Sequence, residues 1–194
     1  MNAAALVFIP AGERPPISVH GATAPAIAAL LREVPGWLGT ARVMTVAGGC
    51  FWHLRSIFAA QPGVLRSLAG FAGGWLESPS YEQVCAGGTG HVEAVQLAYD
   101  PSVTSFEKLL EVYWSAHDPC SLYRQGADAG EQYSPIIFAH SEGQRRLAES
   151  SRRILQERVG PDRCVRTRVR MACTPFWQAG PEHQNRGGSS AINT

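Results

Sequence analysis

The chain lacks the cysteine patterns of structural bridges and metal sites. Its five cysteines are an odd number, without a C-x-x-C pair and without closely spaced zinc-finger ligands: Cys50, Cys85, Cys120, Cys164 and Cys173. This spacing argues against a disulfide framework and against a structural zinc site. We therefore expect free thiols, some of them reactive, and neither a bound metal nor another bound cofactor.

Neither sign of charge is in excess, and long hydrophobic runs are missing. The 17 lysines and arginines balance 16 aspartates and glutamates, leaving a net charge of +1. Such a chain has no strong field for nucleic acid or an anionic membrane, so a small molecule or a peptide is the expected partner. No apolar stretch is long enough to span a bilayer, and no basic residue precedes the short apolar run at the N-terminus. We therefore expect no signal peptide and a reducing cytoplasm.

Length and composition predict a single domain with two appendages. A chain of 194 residues is long enough to bury a sizeable core without a covalent staple. Residues 1–42, rich in alanine, proline and glycine, form an N-terminal extension with one helical signal over 24–34. Residues 43–184 form the domain, and residues 185–194 form a flexible tail. The whole last stretch, PEHQNRGGSSAINT, is polar, which predicts a mobile end.

Strand and helix patterns are mixed along the domain. Apolar or alternating runs predict strands over 42–47, 64–71, 91–99, 135–139 and 165–171. We predict a helix over 50–60, and capping-box patterns predict three more helices, which begin near Ser80, Thr104 and Ser141. Residues 120–133 are predicted to form a loop. This mixture indicates an α+β domain.

The stretch GGCFW places a cysteine at a strand-to-helix turn, directly before two aromatic rings. At the first turn of a helix, Cys50 meets the positive end of the helix dipole and unpaired main-chain N–H groups. Both favour the thiolate, so we predict a lowered pKa and a nucleophilic sulfur. The alternative is a small apolar side chain in a tight turn. Phe51 and Trp52 would then pack in the core rather than wall a pocket.

The strand HVEAVQLAY places a carboxylate among apolar side chains. Glu93 shares its face with Val95, Leu97 and Tyr99. Desolvation disfavours the charged form, which predicts a raised pKa and a proton donor near neutral pH. The alternative is a side chain at the strand end that reaches solvent or a salt bridge.

Six motifs in this order resemble the A class of peptide methionine sulfoxide reductases: GGCFW, GFAGGW, SYEQVCAGGTGHVEAV, YDPSVTSFEKLLEVYWSAHDP, RQGADAGEQYSPIIF and FWQAGPEHQ. The resemblance runs from Val43 to Gln184, most of the chain. It implies a two-layer α+β sandwich, with a mixed sheet and flanking helices in a single domain. It also implies repair of oxidised methionine, by reduction of methionine S-sulfoxide, free or in proteins, to methionine.

The resemblance further implies roles for individual residues. Cys50 would be the nucleophile that becomes a sulfenic acid, and Glu93 the proton donor to the sulfoxide oxygen. Tyr81 and Tyr133 would donate hydrogen bonds to that oxygen. Phe51, Trp52 and Asp128 would form the substrate pocket. We also expect the enzyme to be a monomer, and its oxidised cysteine to be reduced again by thioredoxin or by a small thiol.

The chain departs from the family pattern after Gln184. Many members have a resolving cysteine in the segment that follows, and none stands there in this sequence. We expect Cys173 or Cys164, or an external thiol, to take that role. Cys85 is interpreted as structural. For Cys120, which replaces a hydroxyl residue, the two interpretations are a size-matched replacement and a second redox role.

Two other functions compete with the enzyme. A relative that has lost recycling would bind oxidised or reduced methionine side chains as an interaction or sensor module. A one-cysteine peroxidase would use the thiol but would have no need for a methyl-sized aromatic pocket. Multiple turnovers of methionine S-sulfoxide distinguish the reductase from the binding module.

Overall fold

The computed structural model describes residues 41–184. The helix expected over 24–34, nearly all of the N-terminal extension and the tail 185–194 lie outside the described residues. The described elements are, in chain order, β1 (Arg42–Ala47), α1 (Phe51–Ala59), β2 (Val64–Ala72), α2 (Tyr81–Ala86), β3 (Val92–Tyr99), α3 (Phe106–Ala116), β4 (Arg124–Gln125), β5 (Asp128–Ala129), a short 3-10 helix (Glu131–Tyr133), β6 (Ile136–Ala139), α4 (Glu142–Val159), β7 (Arg168–Met171), β8 (Trp177–Gln178) and α5 (Pro181–Gln184).

Six of the strands form one mixed sheet in the order β7-β6-β1-β3-β2-β8. Only the β6–β7 pair within this sheet is parallel, and the other pairs are antiparallel. The central strands β1 and β3 are almost wholly buried, because both of their faces are covered. The mixed sheet with flanking helices confirms the predicted fold class.

The two faces of the sheet carry two separate apolar clusters. On one face, the side chains of β3 that include Val95 and Leu97 pack with the buried faces of α1 and α3. On the opposite face, Val92, Ala94 and Ala98 pack with the ring of Phe176, from the segment between β7 and β8. The alternation predicted for β3 is therefore correct, and it places Glu93 on the face that carries the helices.

Helix starts follow the predicted capping residues with one shift. Ser80 and Gln83 form a complete capping box at the start of α2. Ser141 caps α4 by accepting a hydrogen bond from the Gln144 main-chain N–H. Ser105, not the predicted Thr104, caps α3, since its hydroxyl accepts a hydrogen bond from the Lys108 N–H.

Two regions have more structure than the sequence predicts. The expected loop 120–133 contains the β4–β5 hairpin and a turn of 3-10 helix. The stretch PEHQ, predicted to be mobile, forms α5 and buries the His183 side chain. Short elements such as these have no apolar period long enough to be seen in the sequence. No helix within residues 41–184 is long and apolar enough to cross a membrane.

Candidate active site

The turn between β1 and α1 fixes the position of Cys50. Cys50 is the N-cap of α1, with extended backbone angles, and its side chain is half-buried. Gly49 has φ +101°, a conformation that favours glycine, and an added Cβ would collide with the Gln125 side chain. Gln125 uses this space, because its Oε1 accepts a hydrogen bond from the Cys50 main-chain N–H. The turn and the β4–β5 hairpin are thereby joined at the thiol.

Glu93 lies next to this turn because β3 pairs with β1. Val46 is paired with Val95, so Glu93, two residues earlier on β3, extends past the end of β1 towards the start of α1. Its carboxylate Oε2 accepts a hydrogen bond of 3.0 Å from the Phe51 main-chain N–H. The side chain is buried, with 1% of its surface exposed. Glu93 is thus hydrogen-bonded to Phe51, the residue that directly follows Cys50.

The environment of Glu93 favours its neutral form. Burial raises the pKa of its carboxyl to about 7, the Phe51 N–H opposes this shift, and the charge of Asp128 adds to it. About half of these carboxyls carry a proton at pH 7. The predicted rise in the Glu93 pKa is therefore confirmed, with desolvation as its main cause.

The predicted lowering of the Cys50 pKa is wrong. Burial raises the pKa of the Cys50 thiol, and the negative charges of Glu93 and Asp128 raise it further. The main-chain N–H groups of Trp52 and His53 lower it, as expected at a helix start, but they do not outweigh burial. The sequence shows the helix start, but it does not show the neighbouring carboxylates or the depth of the thiol.

Four aromatic side chains pack together beside Cys50. The ring centroids of Phe51, Trp52, Tyr81 and His183 lie between 4.4 and 6.1 Å from one another in every pairing. Phe51 is fully buried in the core, as the alternative interpretation predicted, whereas Trp52 is only half-buried, and α2 adds Tyr81 to the group. His183, with 7% of its surface exposed, was missed by the sequence analysis. Its only signal was its place in the FWQAGPEHQ motif.

The remaining predicted site residues, Tyr81, Tyr133 and Asp128, lie close enough to Glu93 for their charges to interact. Burial is the main cause of the raised Tyr81 pKa. A hydrogen bond with the Cys85 thiol and the charge of Glu93 raise this pKa further. Burial, Glu93 and Asp128 raise the pKa of Tyr133 to about 12. Both phenols therefore stay protonated and can donate hydrogen bonds at neutral pH. The structure brings these groups together from α2, the 3-10 helix and the β4–β5 hairpin.

The candidate resolving thiols lie at different ends of the sheet. The segment that contains Cys164 precedes β7. The first residue of β7, Arg168, pairs with Ile136 on β6, and Ile136 pairs with Ala47 on β1. Cys164 therefore precedes β7 at the end of the sheet where β1 leads into Cys50. Cys173 follows the other end of β7. β7 ends at Met171, three residues or about 10 Å beyond the level of Ala47 at the rise of a strand, and Cys173 follows in a turn in which its N–H donates to the Met171 carbonyl. The structure therefore brings Cys164 to the Cys50 end and leaves Cys173 at the far end.

The other two thiols lie on α2 and in the loop that follows α3. Cys85, one helical turn after Tyr81, interacts with the Tyr81 hydroxyl and has its pKa raised by burial and by the charge of Glu93. Cys120 is half-buried in the loop that follows α3. Among residues 41–184, no group of three or more histidine, cysteine, aspartate or glutamate side chains could hold a metal ion.

Comparisons with known proteins identify the relatives of this chain. A family model described as peptide methionine sulfoxide reductase matches residues 42–187. Peptide methionine sulfoxide reductase MsrA of Geobacter sulfurreducens is 43% identical over 150 residues, which cover 75% of this chain and 92% of that protein. MsrA of Methanothermobacter thermautotrophicus is 48% identical over 141 residues, covering 72% and 82% of the two chains.

Solved structures show the same similarity. Methionine sulfoxide reductase A of Corynebacterium diphtheriae superposes with a TM-score of 0.66 at 30% identity, covering 89% of this chain and 84% of that chain. Mxr1 from Saccharomyces cerevisiae in reduced form superposes with a TM-score of 0.70 at 25% identity, covering 79% and 89%. Mxr1 in complex with Trx2 shares the fold at 18% identity, with a TM-score of 0.50 and coverage of 73% and 91%. Since the family model spans most of the sequence, this chain belongs to the peptide methionine sulfoxide reductase family.

Proposed function

We propose that this chain reduces methionine S-sulfoxide, free or within proteins, with Cys50 as the nucleophile and Glu93 as the group that protonates the sulfoxide oxygen. The observation that carries this proposal is the hydrogen bond from the Phe51 N–H to the Glu93 carboxylate. This bond holds an acid of pKa about 7 beside the main-chain turn that carries Cys50. A sulfoxide oxygen leaves poorly unless it is protonated, so nucleophile and acid must act together.

The raised pKa values determine which proton moves. When the pair Cys50 and Glu93 holds one proton, that proton resides mainly on sulfur, because the thiol pKa is raised and the carboxyl pKa is about 7. Glu93 then takes the thiol proton as Cys50 attacks the substrate sulfur, and passes it to the oxygen. The oxygen is transferred to Cys50, which becomes a sulfenic acid, while the sulfoxide is reduced to the thioether of methionine. One proton moves and none is left over.

The surrounding side chains bind the two ends of the sulfoxide group. The half-buried Trp52 ring offers an apolar surface for the S-methyl group, and the fully buried Phe51 ring packs against it from the core. The hydroxyls of Tyr81 and Tyr133 donate hydrogen bonds to the oxygen, and the negative charge of Asp128 adds to burial, the main cause of the raised Glu93 pKa. Polar donors that need an acceptor oxygen discriminate against unoxidised methionine, which leaves them unpaired.

An external thiol completes the cycle by returning the sulfenic acid to a thiol. We propose thioredoxin, with a small thiol as a substitute, and Cys164 rather than Cys173 as a thiol of the chain that takes part in recycling. The reported assembly of Mxr1 with Trx2 supports a partner of this type. Free thiols throughout residues 41–184 suit a reducing compartment, and we propose a monomeric cytoplasmic enzyme.

The test is to supply methionine S-sulfoxide with dithiothreitol and to count the methionine formed per protein. We expect many turnovers for the native chain and none for Cys50→Ser. Cys173→Ser is the control, since this thiol lies at the far end of the sheet, and it should retain full activity. Stoichiometric product, or none, in the native chain would instead support the methionine-binding module.

A further inference from the structure

The loop that carries Cys120 touches the Cys50 turn at both of its ends. At its start the His117 ring packs against Gly48, where an added Cβ would lie 3.1 Å from the ring. At its end Gln125 accepts the hydrogen bond from the Cys50 main-chain N–H. Cys120 stands three residues after His117 and five residues before Gln125, so the loop that carries it is anchored to the Cys50 turn on both sides.

The segment that carries Cys164 runs antiparallel to this loop. His117 contacts Thr167. Pro119, two residues later in the loop, contacts Arg166, which is one residue earlier in the other segment. The Thr167 hydroxyl lies 3.4 Å from His117 Nε2, and the Arg166 N–H donates to the Pro119 carbonyl at 2.7 Å. The Arg163 guanidinium reaches back to the Asp118 carboxylate at 2.9 Å. Cys120, the next residue of the loop, therefore lies beside the stretch that contains Cys164.

The three thiols of Cys50, Cys120 and Cys164 differ in their exposure to solvent. Cys50 and Cys120 are half-buried, whereas Cys164 is exposed. Exchange between a thiol and a disulfide requires access to the attacked sulfur. A reductant in solution can therefore reach Cys164 more readily than it can reach Cys50.

We propose that Cys120 resolves the Cys50 sulfenic acid and passes the disulfide to Cys164. The proposal rests on the proposed function, which supplies the sulfenic acid. In the first step the Cys120 thiolate attacks the Cys50 sulfur, an S–S bond forms, and the hydroxyl leaves as water with the proton from Cys120. The step therefore consumes one sulfenic acid and one thiol, and it yields one disulfide and one water.

In the second step the Cys164 thiolate attacks the Cys120 sulfur. The new S–S bond joins Cys120 to Cys164, and Cys50 leaves as a thiolate that takes up the proton released by Cys164. A dithiol reductant of the thioredoxin class then transfers two electrons and two protons to the exposed disulfide, and is itself oxidised to a disulfide. Cys50 is thus free for a second substrate before any reductant binds.

This scheme predicts a countable burst in the full chain without reductant. The fully reduced protein is mixed with excess methionine S-sulfoxide, and the methionine formed is counted. The native chain should form two methionines per protein, because Cys50 is restored once. Cys120→Ser and Cys164→Ser should each form one. Cys173→Ser is the matched control and should form two.

Peptide mapping of the native chain tests the pairing without any variant. After the burst, free thiols are blocked with N-ethylmaleimide and the chain is cut with trypsin. We expect the peptide of residues 109–124 to be linked to the peptide of residues 164–166. Any other pairing of Cys120 or Cys164 would overturn the proposal.

The counts separate this proposal from the proposed function. One methionine per native chain, or two in either Cys120→Ser or Cys164→Ser, would overturn the relay and leave the reductase activity intact. No methionine from the native chain would instead refute the proposed function.

Discussion

The ring of His183 lies against the ring of Tyr81, with 4.4 Å between their centroids. This contact joins α5 to α2 over the start of α1, since His183 also packs on Phe51 and Trp52. The Nδ1 atom of His183 has no hydrogen-bond partner within residues 41–184, and Nε2 faces the exposed Glu182 at 3.3 Å. His183 therefore contributes to the site mainly as a ring that supports the other three.

Removing this ring should loosen the aromatic wall. We expect His183→Ala to lower kcat/KM about tenfold, the scale of one to two aromatic contacts. His183→Phe keeps a ring and should stay within about threefold of the native value. Steady-state kinetics with methionine S-sulfoxide measures both variants. Equal losses in the two would show that the imidazole nitrogens matter and not the packing.

Gly49 offers a test of the turn that positions Cys50. Gly49→Ala introduces a Cβ at φ +101° and pushes it into the Gln125 side chain. We expect a loss of about 2–3 kcal/mol in the free energy of unfolding, together with a marked fall in activity. Urea denaturation gives the first quantity and the reductase assay the second.

Gly126→Ala is the matched control for this strain. Gly126 also has positive φ, at 59°, but an added Cβ would have nothing within 4 Å. It should lose about 1 kcal/mol, from the backbone conformation alone. A loss as large in Gly126→Ala as in Gly49→Ala would contradict the importance of the Gln125 contact.

The sequence predicted the long elements of this fold and the two central groups of the site. β1 and β3 were predicted within one residue, because their apolar runs are bounded by glycine or by a turn. The face of Glu93 followed from strand alternation. These predictions concern residues whose neighbours along the chain determine their environment.

The rest depended on contacts between distant parts of the chain. The partner of the Cys50 N–H is Gln125, 75 residues away, and the hairpin that holds it is too short to have a period. His183 lies in a polar stretch whose burial comes only from rings on α1 and α2. The Cys50 pKa was predicted in the wrong direction because burial and two carboxylates, invisible locally, outweigh the helix start.

Burying Glu93 should cost stability at high pH. Its pKa in the folded chain is about 7, against about 4.3 in an unfolded chain, so the folded state holds more protons between these values. The contribution of Glu93 to the free energy of unfolding should therefore fall as pH rises from about 4.5 to about 8, by up to roughly 3 kcal/mol. The buried His117 and His140, whose pKa values burial lowers to about 4, contribute with the opposite sign below about pH 6.5. Glu93→Gln should remove only the Glu93 contribution, so the variant should gain stability relative to the native chain as pH rises, because the amide can still accept the Phe51 N–H without becoming charged.

Urea denaturation at pH 5 and pH 8 measures this effect in both proteins. Glu157→Gln, which changes an exposed carboxylate on α4, is the control and should keep the native pH dependence. The same change in stability between pH 5 and pH 8 in Glu93→Gln as in the native chain would contradict the raised Glu93 pKa.

The most direct measurement of the central claim is the pH dependence of methionine formation in a single turnover, before any recycling step. If Glu93 carries the proton from Cys50 to the sulfoxide oxygen, the rate should rise as pH passes about 7, the pKa of Glu93, and then level off. Glu93→Gln should lack this rise and should be slower by about 10²-fold or more. A variant with a near-native rate, or with the same rise near pH 7, would contradict the pairing of Cys50 with Glu93.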